Sequence, residues 1–261
     1  MEKRGRQHFH FVLVHGACLG AWCWYKTATL LRSAGHEVTA LDMAASGVHP
    51  KPVEEVRSMS DYVQPLIEFM ESLPPDDRVV LVGHSFGGAT VSEAVERFPC
   101  KISVAVFVAA ISPAPQLSPV AISEEGRKGL DWMDSQHQFH RGPDKPPTSF
   151  LFGPGFMSAK LYEQSPPEDL TLATLLARPH PLFEAEESAG TTLTGEGYGS
   201  VRRVYVVLEE DNAIAAKFQR WIIEHNPMDD VKVISGSDHM VMLSKPQEFC
   251  YCLQEIAQKY H

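Results

Sequence analysis

A serine lies at the centre of a glycine-framed pentapeptide, Gly83-His84-Ser85-Phe86-Gly87. The residues before it, Arg78–Val82, form a continuous apolar run that predicts a buried strand, and Phe86–Phe98 predicts a helix. When G-x-S-x-G stands between a strand and a helix, the serine lies on a sharp turn that exposes its hydroxyl. The two glycines avoid clashes with neighbouring backbone. The pattern therefore predicts that Ser85 acts as a nucleophile.

A serine hydroxyl needs a nearby base, and that base needs an acid to orient it. After a turn of this kind, the acid and then the histidine come later in the chain. Among twelve histidines, His239 lies in the loop after the predicted strand Val231–Ile234, at the same sheet edge as Ser85. We therefore predict that His239 acts as general base and then as general acid. Most other histidines are expected to be solvated or structural, and those that lie outside strand ends are His137, His140, His180 and His225.

The orienting carboxylate should follow the previous strand, Arg203–Leu208, which is followed directly by acidic residues. Asp211 is the predicted acid. Glu209 and Glu210 are weaker alternatives, for which a solvated surface position is expected. Asp238 is the neighbour of His239 in the sequence, and adjacent side chains rarely reach the geometry needed to hold the Nδ1–H of the imidazole. We therefore predict that Asp238 stabilises the loop.

A tetrahedral intermediate needs two backbone N–H donors for its oxyanion. One should come from Phe86, the residue after the nucleophile. The other should come from the loop His15–Cys18 after the first predicted strand, Phe9–Val14, and Ala17 is the candidate. A strand that ends in His-Gly is also found at this point in lipases and esterases.

Strand-like and helix-like segments alternate along most of the chain. The apolar runs do not alternate with polar residues, which is typical of a parallel sheet covered on both faces. From about residue 111 to residue 190 the pattern breaks into a Pro-rich stretch with no clear strand. Because so long a bare loop is rare, we predict a mainly helical insertion over one end of the sheet.

Length and composition limit the classes of function. A chain of 261 residues can form one α/β domain, here predicted over residues 1–261. The net charge of −10 argues against binding to nucleic acid or to an anionic membrane. No run is long and apolar enough to span a bilayer, and the N-terminus does not resemble a secretory signal. Five cysteines without metal-like spacing favour buried, reduced thiols in a cytoplasmic protein. No metal-ligand cluster or phosphate-binding glycine loop is visible, so no cofactor is expected.

Long stretches spread from about Phe9 to Tyr260 resemble one known family. They are Phe11–Lys26, Ala34–Gly47, Leu81–Gly88, Lys101–Ala110, Tyr198–Val206 and Asp238–Pro246. The family is the plant methylesterase and hydroxynitrile lyase group of α/β-hydrolases. The resemblance implies an α/β-hydrolase fold with a mainly parallel six-stranded sheet, helices on both faces and a helical cap over residues 111–190. It also implies a triad of Ser85, Asp211 and His239, and a possible homodimer.

The two branches of this group differ at a few positions. Hydroxynitrile lyases resemble one another in a threonine after the first-strand histidine, in GESCGG at the turn, and in a lysine directly after the catalytic histidine. That lysine suits a departing cyanide anion. Here the corresponding residues are Gly16, His84, Phe86 and Met240. An apolar Met240 suits the alkyl or aryl group of an ester, which favours ester hydrolysis.

In the family, the cap covers the acyl pocket. The predicted pocket residues are Trp132, Phe152 and Met240, which favour small hydrophobic or aromatic acyl groups. The sequence therefore predicts a serine carboxylesterase acting on such esters, methyl esters above all. Three alternatives stay open: a cyanohydrin-type carbon–carbon lyase, a receptor that binds a small ligand without turnover, and an esterase whose acid product loses carbon dioxide by itself.

Overall fold

The structure, a computed structural model, describes residues 7–126, 128, 130–183 and 190–261. Two of the predictions extend beyond these ranges. Residues 1–6, part of the segment expected not to be a secretory signal, lie outside the described residues. So do residues 127, 129 and 184–189 of the predicted cap.

A six-stranded, fully parallel sheet forms the centre of the molecule, as predicted, with strand order β2-β1-β3-β4-β8-β9. Side chains alternate between the two faces of a strand, so Val79 and Leu81 enter one core and Val80 and Val82 enter the other. Both faces are buried, which explains the continuous apolar runs. The strands are β1 (His10–Val14), β2 (Glu37–Leu41), β3 (Val79–His84), β4 (Ile102–Val108), β8 (Arg203–Leu208) and β9 (Asp230–Ile234), and β5–β7 belong to the cap.

Helices cover both faces of the sheet. One core includes residues of α1 (Tyr25–Ser33), α8 (Val241–Ser244) and α9 (Pro246–Tyr260). The other includes residues of α2 (Met59–Ser72), α3 (Gly87–Arg97) and α7 (Ala216–His225). A 3₁₀ turn over Ala21–Trp24 directly precedes α1. Further 3₁₀ turns cover Val53–Glu55, Pro99–Lys101 and Tyr198–Ser200.

The segment predicted as a mainly helical cap also contains a small sheet that the prediction missed. Its helices are α4 (Pro119–Gly126), α5 (Pro154–Phe156), a π-helical turn (Met157–Leu161) and α6 (Pro167–Leu176). Its antiparallel strands are β5 (Gln136–Gln138), β6 (Ser149–Leu151) and β7 (His180–Pro181), in the order β5-β6-β7. Strands of two or three residues are too short to show a periodicity of their own, and they form through pairing between distant segments.

Two buried carboxylates fasten the cap to the rest of the molecule. Asp169 of α6 accepts hydrogen bonds from the hydroxyl of Tyr25 (2.7 Å) and the ammonium of Lys26 (2.5 Å) at the start of α1. Asp238 accepts from the hydroxyl of Ser165 (2.8 Å). The cap therefore docks beside both α1 and the loop that carries His239.

The cysteines follow the prediction with one exception. All five are free, and four of them are buried among apolar side chains. Cys100, in the turn before β4, is exposed, because this turn lies at the end of the sheet away from the cap. Within the described ranges, no helix is long and apolar enough to cross a membrane.

We expect Asp169→Ala to lower the free energy of unfolding by about 1–3 kcal/mol, because Tyr25 and Lys26 lose their shared acceptor. Urea denaturation measures this effect, and hydrogen exchange should show faster opening of α6. Glu168→Ala, an exposed acidic residue of the same helix, is the matched control and should change little. Equal stability of the two variants would contradict this role of Asp169.

Candidate active site

Ser85 lies on the turn between β3 and α3, as the pentapeptide predicts. Its backbone φ of +56° is in the left-handed region, where a residue other than glycine is strained. Two hydrogen bonds hold this conformation: the amide of Ser85 donates to Val108 of β4 (3.1 Å), and Ile111 donates to the carbonyl of Ser85 (3.0 Å). The side chain is thereby directed away from the sheet at the carboxyl ends of the strands.

Two glycines allow the close approach of backbone that this turn requires. A Cβ at Gly87 would lie 2.6 Å from the carbonyl oxygens of both Val14 and His15. A Cβ at Gly16 would lie 2.8 Å from the Cβ of Ser85. The loop after β1 can therefore pack directly against the serine only because both positions lack a side chain.

His239 and Asp211 form a buried pair. Nδ1 of His239 donates to Oδ2 of Asp211 (2.6 Å), and both residues are about 3% exposed. The other carboxylate oxygen accepts from the amides of Ala213 and Ile214, both at 2.8 Å. With Nδ1 held by the carboxylate, Nε2 is the ring nitrogen left to exchange a proton with a substrate or nucleophile.

Ser85 and His239 line the same cavity. Among the described residues, however, no hydrogen bond joins the two side chains. Such contacts are often long in a site without substrate and tighten when substrate binds. The structure thus brings Asp211 and His239 into direct contact and places Ser85 on the cavity that His239 also lines.

His84, between Gly83 and Ser85, has a positioning role that the sequence analysis missed. Its Nε2 donates to the backbone carbonyl of His239 (2.8 Å), and the two rings lie 4.5 Å apart. Burial, with the nearby charge of His239 as a second cause, holds the pKa of His84 well below its usual value, so the ring is neutral. The second residue of the pentapeptide, His84, therefore fixes the backbone that carries the base.

The alternative acids bind the loop before His239 rather than its imidazole. Glu210 accepts from the amide of Gly236, and Glu209 accepts from the hydroxyl of Ser235, both at 2.5 Å. Asp238 bonds to the cap, as described above, and to the amide of Met240 (3.0 Å). All three carboxylates hold backbone or neighbouring loops in place, and only Asp211 contacts the ring.

Ala17 and Phe86, the predicted oxyanion donors, both line the cavity beside Ser85. Within the described part of the chain, the backbone N–H of neither residue donates a hydrogen bond. An N–H group that has no protein partner is free to bind a ligand oxygen. Their role as an oxyanion hole stays a prediction that agrees with this arrangement.

The cavity next to Ser85 measures about 540 Å³. Trp132 and Phe152, two of the predicted pocket residues, line it, and their rings stack 6.3 Å apart. Phe156 continues the stack, 4.8 Å from Phe152. Met240, the third predicted pocket residue, is not at the cavity: its side chain is fully buried in the core with α8 and α9.

Two imidazoles besides that of His239 also line the cavity, those of His137 and of His180 in β7. His180 was predicted to be a solvated or structural histidine outside strand ends, whereas it lies in a cap strand and is 2% exposed. No local pattern marks it, because the position depends on the pairing of β7 with β6. The described residues include no group of three or more His, Cys, Asp or Glu side chains arranged to hold a metal ion.

Comparison with known proteins agrees with this geometry. The profile of the alpha/beta hydrolase family matches residues 11–250. The chain belongs to the α/β hydrolase family. It is 56% identical to methyl jasmonate esterase 1 of Vitis vinifera over 100% of both chains. It is 48% identical to salicylic acid-binding protein 2 of Nicotiana tabacum, over 97% of this chain and 98% of the relative.

A solved structure, that of polyneuridine aldehyde esterase, superposes with a TM-score of 0.92 at 45% identity. It covers 96% of this chain and 100% of the other. The resemblance to plant methylesterases within the α/β hydrolase family is thus confirmed, and so is the fold class.

We expect Asp211→Asn to lower kcat about 10⁴-fold with little change in KM, because an amide favours the wrong tautomer of His239. Glu210→Gln is the matched control: its amide oxygen can still accept from the loop, so its activity should stay close to that of the unchanged protein. Steady-state kinetics on a hydrolysed ester measures both. A larger loss for Glu210→Gln than for Asp211→Asn would overturn the assignment of the acid.

Acid should destabilise the fold through three buried imidazoles. Burial lowers the pKa of His15, His84 and His180 from the usual 6.5, in the last case to about 3. Below pH 6.5 the unfolded chain therefore binds protons that the folded chain does not. Their contribution to stability is fully present above pH 6.5 and is lost as the pH falls, by up to about 1.4 kcal/mol per pH unit for each histidine.

Urea denaturation between pH 7 and pH 5.5 measures this loss. The slope of the free energy of unfolding against pH should become shallower in His180→Leu, because this variant lacks one of the three imidazoles. The decrease should correspond to the uptake of about one proton fewer on unfolding. A free energy of unfolding that is constant over this range would contradict the assignment of three neutral buried rings.

Proposed function

We propose that the chain is a serine carboxylesterase that hydrolyses methyl esters of small hydrophobic or aromatic acids through a covalent acyl-enzyme. The observation that carries the proposal is the buried Asp211–His239 hydrogen bond on the cavity that also exposes Ser85. A base oriented by a buried carboxylate beside a serine on a strained turn is the arrangement that activates a hydroxyl.

In the first half of the reaction, Oγ of Ser85 attacks the ester carbonyl carbon and its proton passes to Nε2 of His239. The carbonyl electron pair moves onto the oxygen, which the N–H groups of Ala17 and Phe86 bind. Asp211 stabilises the imidazolium that forms. When the carbonyl re-forms, the bond to the methoxy oxygen breaks, and this oxygen takes the proton from His239 and leaves as methanol.

In the second half, water replaces the alcohol. His239 removes a proton from the water as its oxygen attacks the acyl carbon, and the same two N–H groups bind the oxyanion. Collapse breaks the bond to Oγ, which recovers its proton from His239, and the free acid is released. Every proton transfer uses one imidazole, so the proposed reaction needs no cofactor.

The cavity supports a hydrophobic acyl group. Its wall consists largely of aromatic and aliphatic side chains, including the stacked Trp132, Phe152 and Phe156. Relatives that cover nearly the whole chain carry the names methyl jasmonate esterase and polyneuridine aldehyde esterase. We therefore propose methyl jasmonate and related methyl esters as the first substrates to test.

A cyanohydrin lyase is less well supported. The position after His239 is occupied by Met240, which is buried in the core, and none of the described residues that line the cavity is a lysine or an arginine. A departing cyanide anion would therefore lack a cation. We also propose a cytoplasmic location, since all five cysteines are free thiols.

We expect Ser85→Ala to lower kcat/KM by about 10³-fold or more on any hydrolysed methyl ester, because the nucleophile is lost. A panel of methyl jasmonate, methyl salicylate and methyl indole-acetate gives the substrates. Ser72→Ala, an exposed serine at the end of α2, is the control and should behave as the unchanged protein. Equal activity of Ser85→Ala and the unchanged protein would refute the proposal.

A further inference from the structure

Three polar side chains that line the cavity have no part in the proposed reaction: Glu93, His137 and His180. His180 is 2% exposed and lines the cavity together with Ser85 and His239. Neither of its ring nitrogens has a hydrogen-bond partner in the described part of the chain. A buried polar group without a partner loses its hydration and gains nothing in return, so native structures keep few such groups without a function.

Aromatic rings surround the imidazole on several sides. The centroids of Phe86, Tyr62 and Phe150 lie 4.4, 5.0 and 5.5 Å from that of His180, each at a steep angle. These neighbours present carbon surface to the ring. The cavity is therefore the side from which a polar partner can come.

The protonation state limits which partner fits. Burial, with a smaller effect of His15, lowers the pKa of His180 to about 3, so the ring is neutral near pH 7. A neutral imidazole has one donor and one acceptor nitrogen. It can bond to a ketone or hydroxyl oxygen, and the aromatic surroundings make a charged partner costly to bury.

We propose that His180 hydrogen-bonds a ketone or hydroxyl oxygen on the acyl group of the substrate, apart from the ester carbonyl, and so selects oxygenated hydrophobic methyl esters. This inference rests on the proposed esterase function and names a substrate class for it. A site built to bond a substrate oxygen rejects the analogue that lacks it, because the buried protein group is then left without a partner.

A purely structural histidine would behave differently. If His180 only filled space among aromatic rings, its replacement by leucine would remove two unpaired nitrogens. The selectivity for oxygenated esters would stay unchanged. If the ring binds substrate, leucine should leave the melting temperature equal or raise it while selectivity disappears. Both roles therefore predict an unchanged or higher melting temperature for the leucine variant, and the loss of selectivity is what separates them.

The test compares the unchanged protein with His180→Leu on two matched pairs of esters. One pair is methyl dihydrojasmonate and its analogue with a methylene in place of the ring ketone. The other is methyl salicylate and methyl benzoate. We expect the unchanged protein to prefer the oxygenated ester about 10- to 100-fold in kcat/KM in at least one pair.

In His180→Leu this preference should fall to within about threefold, while kcat/KM for the ester without the oxygen is retained. His180→Gln, which keeps a donor and an acceptor, should recover part of the preference and is also the substitute if the leucine variant does not fold. The proposal is overturned if the unchanged protein shows no preference in either pair, or if both esters of a pair lose activity equally in the variant.

Failure of the esterase function would look different, because the unchanged protein would then hydrolyse none of the four esters. Binding of the corresponding acids, followed by the fluorescence of Trp132 in the cavity, tests His180 in that case. A preference for the oxygenated acid that the leucine variant loses supports the inference. Equal binding of both acids overturns it.

Discussion

The left-handed backbone of Ser85 is the constraint on which the rest of the site depends. Such a conformation costs about 1–3 kcal/mol in a residue other than glycine. It persists because hydrogen bonds to Val108 and Ile111 tie the turn to the neighbouring strand and its loop. Gly87 and Gly16 allow the loop after β1 to reach the same point. As a consequence, the hydroxyl of Ser85 and the free N–H groups of Ala17 and Phe86 lie together beside the cavity.

The strain is not confined to the serine. Cys18, Ala45 and Ala109 also have positive φ values, of 61°, 64° and 41°. Each follows one of the strands β1, β2 and β4, at the sheet edge where Ser85 follows β3. The loops at this edge therefore share a strained backbone geometry. The packing of the sheet beneath them must offset the free energy of this strain.

Sequence patterns predicted the strands of the central sheet and the residues that follow them. The bounds of β8 agree with the predicted strand Arg203–Leu208, because a buried apolar run is a local signal. The predicted triad residues follow from the order of strands and loops, and Asp211 and His239 are in contact. Cys18, Ala45 and Ala109 gave no sign of their strain, since neither residue type favours a left-handed backbone.

Predictions failed where position depends on distant segments. Met240 was expected at the cavity because it follows His239, but its side chain is buried in the core and does not line the cavity. His180 was overlooked because only the pairing of β7 with β6 brings it to the cavity. His84 was given no role in the site, whereas its ring donates a hydrogen bond to the carbonyl of His239. In each case a neighbour far along the chain determines the role.

Mass spectrometry of the protein quenched in acid during turnover of a slow ester tests the central claim most directly. The proposed mechanism predicts that the mass of the acyl group is found on one peptide and that fragmentation assigns it to Ser85. An acyl group on any other residue, or continued ester hydrolysis by a protein that never carries one, would contradict it.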